Sequence, residues 1–193
     1  MKRILCFGDS NTFGYDPRNY FGMPYEQPWP VIASSITGDQ YINCGENGRE
    51  IPASVYEIQW MHEDIEHAMP LNLILIMLGS NDILMSGKPD ADLVVQRLEN
   101  LINDLQSTYK DMPLCIITPP KSAIEIEQYN IEIAKLAERL FALCQKYNID
   151  NLNSQDWPLE LCFDGVHFNE NTHKIFAKNV TSYVNGIPIL KNS

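Results

Sequence analysis

A serine at position 10, a histidine at 167 and an aspartate at 164 are the residue types that acyl transfer requires. A serine hydroxyl is a poor nucleophile until a neighbouring base takes its proton, and an imidazole suits that task. Asp164 and His167 stand in Asp164-Gly165-Val166-His167, and a turn at that spacing keeps its ends within about 7 Å. A carboxylate so placed can hold the imidazole N–H, fix its tautomer and stabilise the imidazolium. Ser10 lies in Gly8-Asp9-Ser10-Asn11, where strand gives way to helix. Its hydroxyl would be exposed there, and its backbone N–H would be a donor for a developing oxyanion. Gly48, in Cys44-Gly45-Glu46-Asn47-Gly48, allows close approach of backbone to ligand and offers a second N–H. Asn81, in Gly79-Ser80-Asn81-Asp82, offers a neutral amide as a third donor.

These segments need elements to position them. Strand-like runs cover Arg3 to Phe7, Gln40 to Asn43, Leu71 to Leu78, Leu114 to Thr118 and Ile149 to Leu152. Helical spacing covers Trp29 to Ile36, Ile51 to Ala68, Ala91 to Lys110, Ile126 to Tyr147 and Asn169 to Val184, with Gly186 just past the last end. Strands alternating with helices predict an α/β fold with a parallel sheet covered on both faces. Solid apolar strands such as Leu73 to Leu78 say the same, because both of their faces are buried. Five strands and right-handed crossovers point to the flavodoxin-like order 2-1-3-4-5. In such a sheet ligands bind beyond the carboxyl ends of the strands, where the turns carrying Ser10, Gly48 and Asn81 become neighbours. No linker or repeat divides the chain, which predicts one domain over residues 1–193.

The four polar segments together resemble the sequence blocks of the SGNH subgroup of the GDSL esterase/lipase family. The first block is Phe7-Gly8-Asp9-Ser10-Asn11-Thr12-Phe13-Gly14, and the second centres on Gly48 in Asn43 to Arg49. Gly79 to Asp82 and Asp164 to Phe168 supply the others, in the family's order. Lys2 to Ser10 and Leu71 to Asp82 look most like bacterial arylesterases and acetyl-transferring esterases. The resemblance implies a three-layer α/β/α sandwich and a triad of Ser10, Asp164 and His167. It also implies an oxyanion hole made of the Ser10 N–H, the Gly48 N–H and the Asn81 side chain. The implied reaction cleaves small, acetyl-like esters through an acyl-Ser10 intermediate, with no metal or organic cofactor, and the arylesterase likeness suggests a homo-oligomer. Thioesterase or lysophospholipase action on longer acyl chains is the alternative within the class, and a non-catalytic binding module the alternative outside it. Asn11 departs from the leucine of the namesake block, and Phe13 from a frequent tryptophan of the arylesterase group.

Composition narrows the field. The chain has 193 residues, 45% of them hydrophobic, with 25 acidic against 14 basic side chains and a formal net charge of −11. Such a surface repels phosphate backbones and anionic headgroups, so neither nucleic acid nor a membrane is expected as partner. Met1-Lys2-Arg3 begins like a signal peptide, but the apolar run behind it stops at Gly8, which predicts a cytoplasmic address. Five irregularly spaced cysteines predict free thiols, with Cys6 and Cys115 as buried hydrophobes. No G-x-S-x-G elbow, G-x-G-x-x-G or P-loop is present.

Other chemistry-bearing residues take plainer readings. His62-Glu63-Asp64-Ile65-Glu66-His67 misses the zinc pattern H-E-x-x-H by one residue, which swings the second histidine off the first one's helix face. A solvated acidic face is predicted instead. His173 is expected at the surface, and Trp29, Trp60 and Trp157 in the core. The aromatic, proline-rich loop from Tyr15 to Pro28 reads as pocket mouth or oligomer contact.

Overall fold

In the computed structural model, which describes residues 1–187, the chain alternates strand and helix from its first residues. The strands are β1 (Arg3–Gly8), β2 (Gln40–Gly45), β3 (Leu73–Met77), β4 (Leu114–Thr118) and β5 (Asp150–Asn153). The helices are α1 (Ser10–Phe13), α2 (Trp29–Thr37), α3 (Val55–Ala68), α4 (Ser80–Leu84), α5 (Ala91–Thr108), α6 (Glu127–Tyr147) and α7 (Glu170–Gly186). All strand pairs are parallel, in the order β2-β1-β3-β4-β5. This is the expected α/β architecture and strand order.

Alternation along the strands sorts the core into two layers, because successive side chains point to opposite faces. Leu5, Phe7, Ile74 and Ile76 meet apolar residues of α3, α5 and α6. Ile4, Cys6, Leu73, Leu75 and Met77 meet α2 and α7 on the other side. Both faces of β3 are therefore buried, which is why its sequence is an unbroken apolar run.

Capping decides several helix starts. Ser54 and Glu57 close a reciprocal capping box, so α3 begins at Val55 and not at Ile51. Asp90 accepts from the N–H groups of Asp92 and Leu93 at the start of α5, and Asn169 accepts from Thr172 at the start of α7. β2 runs to Gly45, two residues beyond the sequence expectation, because Cys44 and Gly45 pair with Phe7 and Gly8. Gly186 falls inside α7.

Two expectations about aromatic and titratable residues are corrected. Trp29 is buried and Trp157 half-buried against Phe176, but Trp60 is 61% exposed on the outer face of α3. Its ring lines an open groove together with Arg49 and Arg97. His173 is 1% exposed, not a surface residue. Its Nδ1 accepts the Trp29 N–H at 3.2 Å, and its ring packs edge-on to Tyr25 and Phe168. The helical period turns position 173 inward with Phe176, Ala177 and Val180. Cys6 and Cys115 are buried as free thiols, as their apolar surroundings predict.

Burial pushes His173 down to about 4 from an ordinary value of 6.5, with Asp16 opposing weakly. Above pH 6.5 both folded and unfolded chains hold this ring neutral. As pH falls from 6.5 towards 4 only the unfolded chain takes up the proton, so stability is lost over that window. His173→Gln keeps an acceptor for Trp29 but cannot titrate. In urea melts, the stability of wild type relative to this variant should fall by roughly 2 kcal/mol between pH 7.5 and pH 5. A gap independent of pH would overturn the assignment.

Candidate active site

Every sequence-predicted site residue lies at or beyond the carboxyl ends of β1, β2, β3 and β5. At the end of β1, Asp9 caps α1: its Oδ1 accepts the Asn11 N–H at 2.9 Å, and its carbonyl accepts from Thr12 and Phe13. Burial pushes the Asp9 carboxyl up to about 7, against the Asn11 N–H and the Arg49 guanidinium. The cap puts Ser10 in the first helical position, where a backbone N–H has no intrahelical acceptor, but the residue is only 6% exposed and not open as the sequence suggests.

The structure brings Ser10, His167 and Asp164 into one line. Ser10 Oγ lies 3.0 Å from His167 Nε2, and His167 Nδ1 lies 2.6 Å from Asp164 Oδ2. Asp164 Oδ1 also accepts the backbone N–H groups of Val166 and His167, each at 3.0 Å. Partial burial works to raise the Asp164 carboxyl, but those N–H groups and the imidazole outweigh it and hold the group below the usual carboxylate range. An ionised Asp164 can only accept, so the imidazole carries its proton on Nδ1 and turns the Nε2 lone pair towards Ser10. Such a line can draw the proton from the hydroxyl as it attacks.

The loop that carries His167 is seated against its surroundings. Gly165 has φ +70°, and a Cβ there would fall 2.5 Å from the Ala123 carbonyl oxygen. The Ala123 N–H donates to the Gly165 oxygen at 2.8 Å. Phe168 is fully buried among Phe176 and His173. The Tyr15 ring lies 4.6 Å from that of His167, so the start of the 15–28 loop borders the site. Tyr20 and Phe21 at its tip are exposed.

One hydrogen bond ties Asn81 to the residue that follows Gly48. Asn81 Nδ2 donates to the Arg49 carbonyl at 3.0 Å, next to Gly48. An amide has two N–H groups, so this bond orients the side chain and leaves the second hydrogen for another acceptor. Gly48 is exposed and takes φ +75°, a conformation that suits glycine.

Three residues to which the sequence reading gives no role hold this arrangement. Arg49 donates from Nη1 to the carbonyls of Gly8 and Cys44 and lies over the Phe7 ring at 4.1 Å. It thereby ties the ends of β1 and β2. Asp82 is buried, and accepts the Ile51 N–H at 3.1 Å and Arg97 at 3.0 Å. Burial raises its carboxyl, with Arg97 opposing. Asn11 bonds to the backbone on both sides of His167. All three stand inside or beside the blocks already singled out, and the available signal was that a buried polar side chain must find partners.

A groove of about 640 Å³ opens beside Gly48, lined by Arg49, Ile51, Glu57, Trp60, Asp64 and Arg97 among others. Ser10 and His167 stand outside it. The His62/His67 helix does not contribute to the site. His67, Glu63 and Glu66 are exposed as expected, while His62 turns towards α5, with Asp104 at 2.8 Å and Tyr109 at 3.0 Å.

Comparison with known proteins follows the same line. A model of the GDSL-like Lipase/Acylhydrolase family matches residues 6–175. Among curated protein sequences none matches the chain. Est24, a carbohydrate acetylesterase from Sinorhizobium meliloti, superposes with TM-score 0.82 at 18% identity, over 96% of this chain and 99% of the other. The inhibitor-bound aryl esterase of M. smegmatis gives 0.83 at 19% identity, again over 96% and 99%. A member of the lipolytic G-D-S-L family from Veillonella parvula gives 0.77 at 24% identity, over 97% of this chain and 100% of that one. At such identities these likenesses speak for the fold. Among the described residues no helix is long and apolar enough to cross a membrane.

Proposed function

We propose a serine-esterase function for this chain, which belongs to the GDSL-like lipase/acylhydrolase family. The observation that carries the reading is the unbroken line from Ser10 Oγ through His167 to Asp164, at 3.0 and 2.6 Å. Ser10 Oγ attacks the ester carbonyl while His167 Nε2 takes its proton. Asp164 holds the imidazolium that forms. The N–H groups of Ser10 and Gly48 and the free hydrogen of the Asn81 amide receive the negative charge on the carbonyl oxygen. His167 then gives the proton to the leaving alcohol, and water, activated by the same imidazole, releases the acyl group from Ser10.

The substrate class we propose is an ester of a short, acetyl-like acyl group. The groove beside Gly48 carries Glu57, Asp64 and Arg97 beside apolar Ile51, Trp60 and Met61 in its walls, and the charged ones suit a polar alcohol portion. The structural likeness to a carbohydrate acetylesterase and an aryl esterase agrees with small acyl groups on varied alcohols.

Three measurements test this reading. Ser10→Ala should remove nearly all hydrolysis of p-nitrophenyl acetate and all labelling by a fluorophosphonate, with little change in thermal midpoint. Substantial turnover in a clean preparation would sink the nucleophile assignment. Across p-nitrophenyl esters from acetyl to dodecanoyl, kcat/KM should be highest at two to four carbons, and an optimum at ten or more would overturn the short-acyl class.

Asn81 needs a finer test, because its amide also serves the Arg49 carbonyl. A donor that strengthens only as charge develops lowers kcat more than it raises KM when removed. Asn81→Ala should therefore cost on the order of a hundred- to a thousandfold in kcat. Asn81→Asp should do at least as much damage, since a carboxylate has no donor and opposes the developing charge. If Asn81 only bridges to Arg49, the alanine variant will lose thermal stability while its folded fraction keeps a near-normal kcat.

A further inference from the structure

The residue after the nucleophile is 3% exposed, and its side chain spends both of its polar atoms on one distant loop. Asn11 Oδ1 accepts the Phe168 N–H at 2.9 Å, and Asn11 Nδ2 donates to the Val166 carbonyl at 3.2 Å. Val166 and Phe168 are the two neighbours of His167. A single primary amide thus grips the backbone on either side of the imidazole, across more than 150 residues of chain.

The rest of that loop shows why this grip is distinct. Asp164 satisfies the N–H groups of Val166 and His167, and the His167 carbonyl accepts the Cys162 N–H at 2.7 Å. The Phe168 carbonyl accepts from Cys162 Sγ at 3.4 Å. Those bonds shape the loop within itself and say nothing of where it stands relative to Ser10. The pair from Asn11 runs between the loop backbone and α1, the short helix that carries the nucleophile. Because Asn11 is bonded directly to Ser10 in sequence, it converts the Ser10–His167 separation into a distance set by a few local bonds.

The chemistry of the side chain is specific. The position needs one donor and one acceptor on a short arm, both within reach of a backbone N–H and a carbonyl two residues apart. Leucine supplies neither, aspartate supplies only acceptors, and glutamine is one methylene too long. Removing the amide leaves the Phe168 N–H without its partner in a buried setting and frees the loop to shift against Ser10.

From this geometry we infer that Asn11 is a positioning residue for the reaction: by holding Val166 and Phe168 it sets the His167 imidazole on the Ser10 hydroxyl. The inference rests on the serine-esterase reading above. Asn11 itself touches no reacting atom in this account. Its effect on rate passes through His167.

A double-mutant cycle tests that dependence, with p-nitrophenyl acetate as substrate and kcat expressed per folded molecule. Asn11→Ala alone should lower kcat by about ten- to a hundredfold, the scale of a small misplacement of a catalytic group, while KM changes by less than about threefold. In a His167→Ala background the same change should cost less than about twofold, because the group it positions is already gone. Asn11→Asp is nearly isosteric and keeps an acceptor for the Phe168 N–H, so it serves if the alanine variant folds poorly. It loses the donor to Val166 and should show the same kcat loss and the same non-additivity. A loss that adds in full to that of His167→Ala, or one confined to KM or to the folded fraction, overturns the positioning role and leaves the esterase reading standing. Wild-type turnover by Ser10→Ala would overturn that reading itself.

Discussion

The 3.0 Å contact between Ser10 Oγ and His167 Nε2 joins groups 157 residues apart, and nearly everything else in the structure serves to make that contact possible. Two loops can meet at such separation only if rigid elements deliver them to the same place. A parallel sheet does so, because every strand ends on the same edge. With β1 between β2 and β3, the turns after those three strands converge, and the loop that follows β5 returns along the same edge before α7. The apolar layers on the two faces hold the strands in register. They stop short of fixing any side chain to within an ångström.

That last ångström is set by polar groups, and the way they are shared is economical. Asp9 caps α1 through the Asn11 N–H, and Asn11 reaches the His167 loop. Arg49 joins β1 to β2 through its guanidinium, and its carbonyl orients the Asn81 amide. Asp82 anchors the chain just beyond, at Ile51. Each turn is bonded to the next, so none of the site rests on packing alone. Buried polar groups cost desolvation, which is visible in the raised carboxyls of Asp9 and Asp82. Hydrogen bonds have direction, however, and apolar contacts have little. A site that depends on direction has reason to carry that cost.

Much of this is legible in the sequence. Apolar runs mark β1, β3 and β4, alternation with helices places the short β2 and β5, and topology rules give the order. Ser10, His167 and Asp164 were identifiable from residue type, spacing and the block resemblance, and they fall in one hydrogen-bonded line. Boundaries were harder to read. The start of α3 depends on the Ser54–Glu57 box competing with an apolar residue at Ile51, and periodicity favoured the wrong one. His173 was misplaced because a histidine in a polar helix looks like surface, and only the tertiary contact with Trp29 shows the inward face. Trp60 went the other way: a large apolar ring was expected inside, yet it lines an open groove and stays 61% exposed.

Asn11 marks a different limit of sequence reading. In the block Gly8-Asp9-Ser10-Asn11 it stood out only as a departure from leucine, and a departure has no meaning until its partners are known. An apolar side chain at this position could locate the His167 loop only by filling space. Contacts of that kind are non-directional, so a loop held by them can slide while losing little energy. An amide that donates to one carbonyl and accepts from one N–H leaves a single relative placement in which both bonds are made. It therefore constrains rotation as well as distance. In the proposed mechanism the base must point one lone pair at one hydroxyl, so rotation is the harder of the two to fix, and Asp164 alone can set the ring only within its own loop. The asparagine bonds tie that loop to the Ser10 helix across the gap.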